Sequence, residues 1–213
     1  MVRSLQKILV SSLAVVAAGF MLTAPASAAG DPVRGKTLGY TCLGCHGIET
    51  YKNVYPTYSV PKLRGQHAEY IVAALKEYRD SQRGHATMHA HASTLSDQDM
   101  EDVAAYMAGG EVKTAGAAPA GKPPAAVATC QACHGQDGVG IMGMYPTLSG
   151  QHADYMVQAL NDYRKGVRKN AIMAPFASQL KAEEIKEVAE YFSRQKPSLQ
   201  TLPKIEKVLT AAK

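Results

Sequence analysis

The chain repeats itself at a fixed spacing of 85 residues, and this duplication limits the folds open to it. The hexapeptide at 65–70, Gly-Gln-His-Ala-Glu-Tyr, returns at 150–155 as Gly-Gln-His-Ala-Asp-Tyr. The same spacing joins further identical pairs: Leu75 and Leu160, Tyr78 and Tyr163, Arg83 and Arg168, Met88 and Met173, Leu95 and Leu180, Tyr106 and Tyr191. Self-similarity at one period indicates repeated structural units. We therefore expect two domains that share one fold.

Hydrophobic periodicity assigns both domains to the all-α class. Apolar residues recur at helical spacing in the middle and at the end of each repeat, as in the series from Ile71 to Tyr78. Asp31 followed by Pro32 is typical of a helix N-cap and first helical residue, and predicts a short helix that runs towards Cys42. No segment alternates convincingly between apolar and polar residues, as a half-buried strand would.

The segment between the repeats is rich in Gly, Ala and Pro and lacks apolar periodicity, which is typical of a linker. We place domain 1 at 29–110, the linker at 111–121, domain 2 at 122–195 and a basic C-terminal tail at 196–213. Each domain holds fewer than about a hundred residues, a size at which a hydrophobic core needs a disulfide or a metal to stabilise it.

All four cysteines of the chain lie in two Cys-x-x-Cys-His motifs, one in each repeat. Their members are Cys42, Cys45 and His46 in domain 1, and Cys130, Cys133 and His134 in domain 2. Two thiols three positions apart can form thioethers with the two vinyl groups of one haem, while the adjacent imidazole binds the iron. Two covalently attached haem c groups are therefore the expected cofactors.

A thioredoxin-like redox pair and a four-thiolate zinc site are the alternatives to haem. The redox pair belongs in a βαβ unit and does not require the histidine that follows both motifs here. A zinc site would draw both cysteine pairs into one cluster, whereas each pair here lies in its own complete repeat. Neither alternative explains why a histidine occupies the same place twice.

Met88 and Met173 are the only methionines at equivalent positions between the middle and final helices, in what we expect to be loops. A methionine in such a segment is usually core filler, but its repetition downstream of each motif favours a role as the second axial ligand. His/Met ligation raises the reduction potential and closes the sixth position of the iron to substrates. This arrangement favours electron transfer over oxygen or peroxide chemistry.

Other histidines surround the first of these methionines. His85, His89 and His91 have no counterparts in the second repeat. They could displace Met88 as ligand or bind a surface metal, but we expect solvated loop residues. The paired His67 and His152 open the middle helices, where we expect them to cap the helix or to form hydrogen bonds near the haem edge.

A histidine ligand usually donates its second ring N–H to a carbonyl or carboxylate, which fixes the tautomer and makes it a stronger ligand. Pro61 and Pro146 occupy matching sites ahead of the two Gly-Gln-His sequences. A rigid proline turn can supply such a carbonyl, and it can equally be a plain turn before a helix. The two roles are compatible, and the sequence leaves both open.

The N-terminus has the features of a secretory signal peptide. Arg3 and Lys7 precede an apolar stretch from Ile8 to Leu22, and the small residues at 26–28 follow. We predict cleavage after Ala28. A membrane anchor is the alternative, but the apolar stretch is shorter than the ~20 residues that a spanning helix needs. The mature protein is thus expected in the periplasm, either free or loosely attached to the inner membrane.

The net charge of +5 is concentrated outside the two domains. Two of the basic residues belong to the predicted signal peptide, and the tail carries Lys196, Lys204, Lys207 and Lys213. Nucleic-acid binding would require a basic face on the folded part, so we expect no such partner. The tail is either a disordered end or a contact to anionic lipid or an acidic protein.

Together these motifs resemble the dihaem cytochrome c4 family over essentially the whole mature chain. The resemblance rests on the tandem Cys-x-x-Cys-His motifs, on Gly-Gln-His before a helix that ends in Tyr-Arg, and on the segment 168–175. It implies two class I cytochrome c domains related by a pseudo-two-fold axis, with haem propionates meeting near their interface. It also implies a high-potential periplasmic carrier that hands electrons to terminal oxidases.

The chain departs from the pattern of that family in three places. The first methionine loop, 84–89, lacks the Asn and Pro of the second, and the loop after the first motif carries Tyr51, Tyr55 and Tyr58. Residues 197–213 extend past the usual end of the family. These departures leave the fold expectation unchanged but put the redox partner in doubt.

We predict a periplasmic single-electron carrier that donates electrons to a terminal oxidase and is not an enzyme by itself. The first alternative is the electron-accepting cytochrome subunit of a periplasmic dehydrogenase, such as a sulfide-oxidising flavocytochrome. The second is a dihaem peroxidase or dehydrogenase, which requires one iron with an open position or with two histidine ligands.

Overall fold

The computed structural model describes residues 30–109 and 116–203. The predicted signal peptide, residues 111–115 of the predicted linker and the end of the basic tail lie outside these ranges. Within them, regular structure consists of helices, with isolated β-bridges in place of strands. The all-α prediction is therefore confirmed. None of the helices in the described ranges has the length and apolar character needed to cross a bilayer.

Domain 1 is built from five α-helices, of which the long α3 and α5 form the core. Its elements are α1 (Pro32–Leu38), a 3-10 turn (Gly39–Cys42), α2 (Leu43–His46), α3 (Ala68–Arg79), α4 (Ala86–Ala92) and α5 (Asp97–Ala108). Helix α5 packs against α1 and α3, and α3 also packs against α4. The predicted amphipathic faces are buried, as shown by Leu75 on α3 and Met100, Val103 and Met107 on α5.

Domain 2 repeats this plan with a reduced first helix. Its elements are a 3-10 turn (Ala125–Val127), α6 (Gln131–His134), α7 (Ala153–Arg164), α8 (Met173–Gln179) and α9 (Ala182–Ser193). Helix α7 packs against α8 and α9, and the 3-10 turn packs against α9 where α1 lies on α5 in domain 1. Met156, Val188 and Phe192 form the buried core of this domain.

Helix α1 begins where the sequence predicts and is fixed to α5 by one buried carboxylate. The Asp31 side chain accepts a hydrogen bond from the Val33 N–H at 2.8 Å, which caps the helix. Gly35 lies so close to the Asp102 carbonyl that a Cβ atom would overlap it. The Asp102 carboxylate accepts from the Asp31 N–H at 2.8 Å and from Gln98 at 2.9 Å. These hydrogen bonds lower the pKa of Asp102, which stays ionised in the core.

At the domain interface, equivalent residues of the two repeats contact each other. Arg83 and Arg168, which are 85 residues apart, form an antiparallel β-bridge across the interface. The Gly84 N–H donates to the Val167 carbonyl at 3.0 Å, and the Lys169 N–H donates to the Gln82 carbonyl at 2.7 Å. Antiparallel pairing of the same position in two repeats is the arrangement that a local two-fold axis produces.

Both of these arginines are buried and share one acceptor. Arg83 and Arg168 donate to the hydroxyl of Tyr70 at 2.8 and 2.7 Å. Their guanidinium carbons lie 4.8 and 4.4 Å from the ring centroids of Tyr78 and Tyr163, respectively. Cation–π contact of this kind offsets part of the cost of burying the charge. The two-fold symmetry is broken here, because Tyr70 of domain 1 bonds to both arginines.

Residues 197–203, which we call the C-terminal strap, return from domain 2 to domain 1. The N–H groups of Ser198 and Leu199 donate to the Ser149 carbonyl at 3.3 Å, and Gln200 and Arg64 exchange two backbone hydrogen bonds. The backbone of this part of the predicted tail is therefore paired with both domains. The tail residues Lys204, Lys207 and Lys213 lie outside the described residues.

The strap ends on the helix that carries the first motif histidine. The Leu202 N–H donates to the His46 carbonyl at 3.1 Å, and the Leu202 side chain, 2% exposed, joins the core of domain 1 beside Leu43. Leu199 is buried as well, at 1% exposure. No helical or strand period predicts this path, because two isolated leucines in a proline-flanked segment leave no pattern to detect.

Replacing Leu202 with alanine tests how strongly the strap holds domain 1. We expect Leu202→Ala to lower the free energy of unfolding by about 3 kcal/mol, the usual cost of a buried Leu→Ala cavity. Chemical denaturation followed by circular dichroism measures this change. Val54→Ala, at a side chain that is 69% exposed, is the control and should be nearly neutral. A neutral result for Leu202→Ala would contradict the packing of the strap.

Candidate haem sites

Each motif histidine ends a short helix and is held by a prolyl carbonyl. Nδ1 of His46 lies 2.8 Å from the Pro61 carbonyl oxygen, and Nδ1 of His134 lies 2.8 Å from that of Pro146. A carbonyl oxygen can only accept, so Nδ1 carries the proton and the lone pair of Nε2 is available to a metal. Of the two roles considered for Pro61 and Pro146, the structure therefore shows that of hydrogen-bond acceptor to the motif histidines.

Burial keeps both imidazoles neutral. Loss of solvation lowers the pKa of His46 and of His134 below the ordinary value of 6.5, and this effect outweighs the opposing hydrogen bond to each proline. The positive charges that His85 and His91 can carry lower the pKa of His46 further. A neutral imidazole with a free Nε2 is the form that binds iron.

In domain 2, the cysteines, the histidine and the methionine of the predicted site line one cavity of about 280 Å³. Its walls include Cys130, Cys133, His134 and Met173. Apolar side chains of α7 and α9 line it as well, and so do residues of domain 1, among them Tyr70. A mainly apolar chamber with two thiols and a neutral imidazole at its wall suits a haem. The structure thus brings together all four predicted residues of this site.

In domain 1, the equivalent residues border the hydrophobic core of that domain. Cys42 and Met88 both pack, partly buried, against the hydrophobic cluster that contains Leu43. Helix α4 packs against α3, and both helices contribute to this cluster. Helix α4 carries Met88, so the elements of the predicted site are again neighbours.

The cysteine thiols are available for thioether formation. All four cysteines are unpaired and partly buried. Burial raises the pKa of the thiols of Cys42 and Cys130, as expected for sulfur that faces an apolar chamber instead of water. Donor type, protonation and surroundings all fit a covalently bound haem in each domain.

The two axial methionine candidates lie in short helices, and the expectation of loops there was wrong. In domain 2, Oδ1 of Asn170 accepts from the Met173 N–H at 2.9 Å. In domain 1, the residue equivalent to Asn170 is His85, and its Nδ1 accepts from the Met88 N–H at 3.3 Å. The missing Asn is therefore replaced by a different acceptor. Helices of seven residues are too short to leave a readable apolar period.

Two of the three histidines around Met88 have structural partners. Nε2 of His85 bonds to Asn53 at 3.1 Å, so this half-buried residue is not the solvated loop residue we expected. His89 and His91 are exposed, and Nδ1 of His89 lies 2.9 Å from the Tyr78 carbonyl. In the described ranges, no cluster of three or more His, Cys, Asp or Glu side chains is arranged to hold a further metal ion.

The histidines that open the middle helices do not cap them with their side chains. Both His67 and His152 are N-cap residues without a side-chain capping bond. His67 is buried and its Nε2 lies 3.1 Å from the Gly140 carbonyl, so it joins the two domains. This hydrogen bond connects α3 with the loop that covers the site of domain 2.

The flanking glutamines Gln66 and Gln151 received no role in the sequence analysis, although both line the domain 2 cavity. They are buried, at 3% and 5% exposure. Their only sequence signal is identity at the repeat spacing. The C-terminal strap was missed as well, because its two leucines follow no period.

Two domains with a covalent haem site in each define a dihaem c-type cytochrome. The family model described as "Cytochrome c" matches residues 32–111, and the model "Cytochrome C oxidase, cbb3-type, subunit III" matches residues 121–192. Cytochrome c4 of Pseudomonas aeruginosa is 33% identical over 203 residues, covering 88% of this chain and 98% of that protein. The chain belongs to the cytochrome c4 family.

Two further comparisons bear on function. The crystal structure of reduced recombinant cytochrome c4 from Pseudomonas stutzeri matches with a TM-score of 0.62 at 28% identity, covering 79% of this chain and 100% of that one. A protein of Thiomonas intermedia named "Thiosulfate dehydrogenase electron acceptor" is 39% identical over 204 residues, covering 86% of this chain and 90% of that protein. The protein is a dihaem electron carrier of the cytochrome c4 type.

Removing one cysteine pair should remove one haem and leave the other. We expect the double variant Cys42→Ser with Cys45→Ser to lose the mass of a single haem in intact-protein mass spectrometry, because no thiol is then left in domain 1 to form a thioether. The matched variant Cys130→Ser with Cys133→Ser should lose the same mass. A variant that keeps both haems, or a wild-type chain that carries only one, would contradict independent attachment.

Proposed function

We propose that the protein is a periplasmic single-electron carrier that accepts electrons from an upstream donor and passes them to a terminal oxidase. In this proposal Cys42, Cys45, Cys130 and Cys133 attach the two haems, His46 and His134 are proximal ligands, and Met88 and Met173 are distal ligands. Each haem, when bound, supplies an iron that gains and loses one electron. The protein itself is not an enzyme.

The observation that carries this proposal is the shared cavity of His134 and Met173. An iron held by an imidazole and a thioether has no open position for oxygen, peroxide or another substrate. The repeat spacing and the common core of Cys42 and Met88 support the same arrangement in domain 1. Two closed sites support an electron carrier over a dihaem peroxidase.

An apolar rim at the domain 2 cavity supports docking of a redox partner there. Met144, Ile172 and Phe176 line this cavity, yet their side chains are 60%, 52% and 45% exposed, respectively. Exposed apolar side chains that cluster at one place mark interaction surfaces. Brief contact between redox proteins needs only a small patch of this kind, less than about 1,200 Å² in total.

The predicted signal peptide supports a periplasmic location, and one relative supports an alternative electron donor. The predicted signal peptide 1–28 lies outside the described residues, and cleavage after Ala28 stays a prediction. We also propose that the protein attaches loosely to the inner membrane through the basic tail, 196–213, by means of the lysines that follow the strap. The relative named as an electron acceptor of thiosulfate dehydrogenase favours, as second candidate, a carrier that serves a periplasmic dehydrogenase.

Replacing each methionine tests the axial assignment. The weak absorption band that marks thioether sulfur on ferric haem iron should be present at two-haem intensity in the wild-type protein. We expect Met88→Leu and Met173→Leu each to remove about half of it, because leucine keeps the volume but cannot bind iron. Met142→Leu, at an exposed methionine, should leave the band unchanged. An unchanged band in either ligand variant would disprove that assignment.

Oxygen uptake by native membranes tests the proposed direction of electron flow. We expect the reduced protein to stimulate uptake, and Met144→Glu to lower kcat/KM by about tenfold through loss of one apolar docking contact. Val33→Glu, at an exposed position on α1 in domain 1, is the control. Failure to stimulate uptake, with rapid reduction by a thiosulfate dehydrogenase and thiosulfate, would establish the second candidate instead.

A further inference from the structure

The glutamines of the two Gly-Gln-His sequences form reciprocal hydrogen-bond pairs across the domain interface. Gln66 of domain 1 donates through Nε2 to the Thr147 carbonyl at 3.0 Å, and its Oε1 accepts from the Thr147 N–H at 2.9 Å. Gln151 of domain 2 does the same with Lys62, at 3.0 Å in both directions. Each side-chain amide therefore binds the backbone of the other domain through two hydrogen bonds.

The backbone groups that they bind are those beside the prolines of the haem sites. The Lys62 N–H and the Pro61 carbonyl belong to one peptide unit, and so do the Thr147 N–H and the Pro146 carbonyl. A peptide unit is planar and rigid, so its N–H and carbonyl move together. A continuous path thus runs from Gln151 through the Pro61–Lys62 peptide to His46 of the other domain.

The hydrogen bonds on the two sides of this peptide reinforce each other. When an amide N–H donates to a good acceptor, the carbonyl of the same peptide becomes more negative and accepts more strongly. Oε1 of Gln151 accepts from the Lys62 N–H, and the Pro61 carbonyl accepts from Nδ1 of His46. A stronger Nδ1–H bond makes an imidazole a more basic metal ligand. The same chain links Gln66 to His134.

We infer that Gln66 and Gln151 are reciprocal positioning residues, each of which sets the orientation and basicity of the axial histidine in the opposite domain. Each haem site is then completed by the other domain. The inference goes beyond electron carriage, because it makes the reduction potential of each haem dependent on the packing of the other domain against it. It rests on the axial role proposed for His46 and His134.

Burial supports a role for these amides beyond that of a surface contact. Both glutamines are almost fully buried, and each Oε1 also accepts from the N–H of the following residue, His67 or His152. The N-cap residue of the middle helix is thus fixed by the same amide that holds the opposite peptide. Such fully satisfied buried networks hold their members in a single arrangement.

The variants Gln151→Met and Gln66→Met remove these hydrogen bonds while keeping side-chain volume. In the reduced holoprotein, we expect Gln151→Met to speed deuterium exchange of the His46 Nδ1–H by roughly tenfold, which corresponds to a loss of about 1.4 kcal/mol. The His134 Nδ1–H should exchange at its wild-type rate. Gln66→Met should give the reverse pattern. NMR resolves the two ring protons separately.

Redox titration followed by NMR supplies the second readout. A weaker Nδ1–H bond makes the histidine a poorer donor to ferric iron, so the potential of the opposite haem should rise. The crossed pattern is the diagnostic result: a change in domain 2 moves the potential of domain 1 more than its own. Gln151→Glu keeps an oxygen for the Lys62 N–H and should return the His46 exchange rate towards that of the wild type.

Asp154→Asn is the control for simple loosening of the interface. Asp154 accepts from the backbone and hydroxyl of Ser59 at 3.0 and 2.9 Å across the same interface, but it touches neither prolyl peptide. It should leave both exchange rates unchanged. Equal effects on both histidines, effects confined to the variant's own domain, or no effect would each overturn the inference. Retention of low-spin, six-coordinate spectra in the variants reports on the axial assignment separately.

Discussion

The hydrogen bond from each proximal histidine to a prolyl carbonyl is the contact on which the rest of the structure depends. It selects the tautomer that leaves Nε2 free for a metal, and in domain 2 it holds the imidazole in the wall of the cavity. The surrounding elements hold its two ends. Short helices α2 and α6 present the histidines, the strap bonds to the His46 carbonyl, and the buried glutamines bind the prolyl peptides from the other side of the interface.

What could be predicted from the sequence is what short-range spacing determines. A Cys-x-x-Cys-His motif fixes its own geometry within one helical turn, and the apolar series on α3, α5, α7 and α9 repeats over three turns. The prolines could be assigned because they occupy the same place twice. The haem-attachment cysteines and the proposed histidine and methionine ligands follow from the same logic, and the ligand assignments stay predictions.

What could not be predicted depends on contacts between distant parts of the chain. Nothing in the sequence near Gln66 indicates that its amide binds Thr147, 81 residues away. The strap could not be predicted for a similar reason, since Leu202 is a core residue only because the chain returns to domain 1. His85 shows a third kind of failure: a histidine took over the capping role of Asn170, so a comparison by residue type missed an equivalence of function.

The duplication gives two sites with the same proposed ligands but different covering loops. Tyr55 in the longer first loop is 95% exposed, whereas the shorter second loop presents Met142 and Met144. Differences in cover change solvent access and therefore the reduction potential. Shared interface contacts, including both arginines on Tyr70, join these unequal sites into one unit. Such a unit suits the passage of electrons between a donor and an acceptor.

Exposure of the fully reduced holoprotein to carbon monoxide tests the central claim most directly. Carbon monoxide binds ferrous haem only where an axial position is open or easily vacated. The account predicts that the visible spectrum stays unchanged at both haems, because the proposed imidazole and thioether ligands would leave no axial position of either iron open. A carbon monoxide complex at either haem would contradict the account and would place that iron among sites built for substrate chemistry.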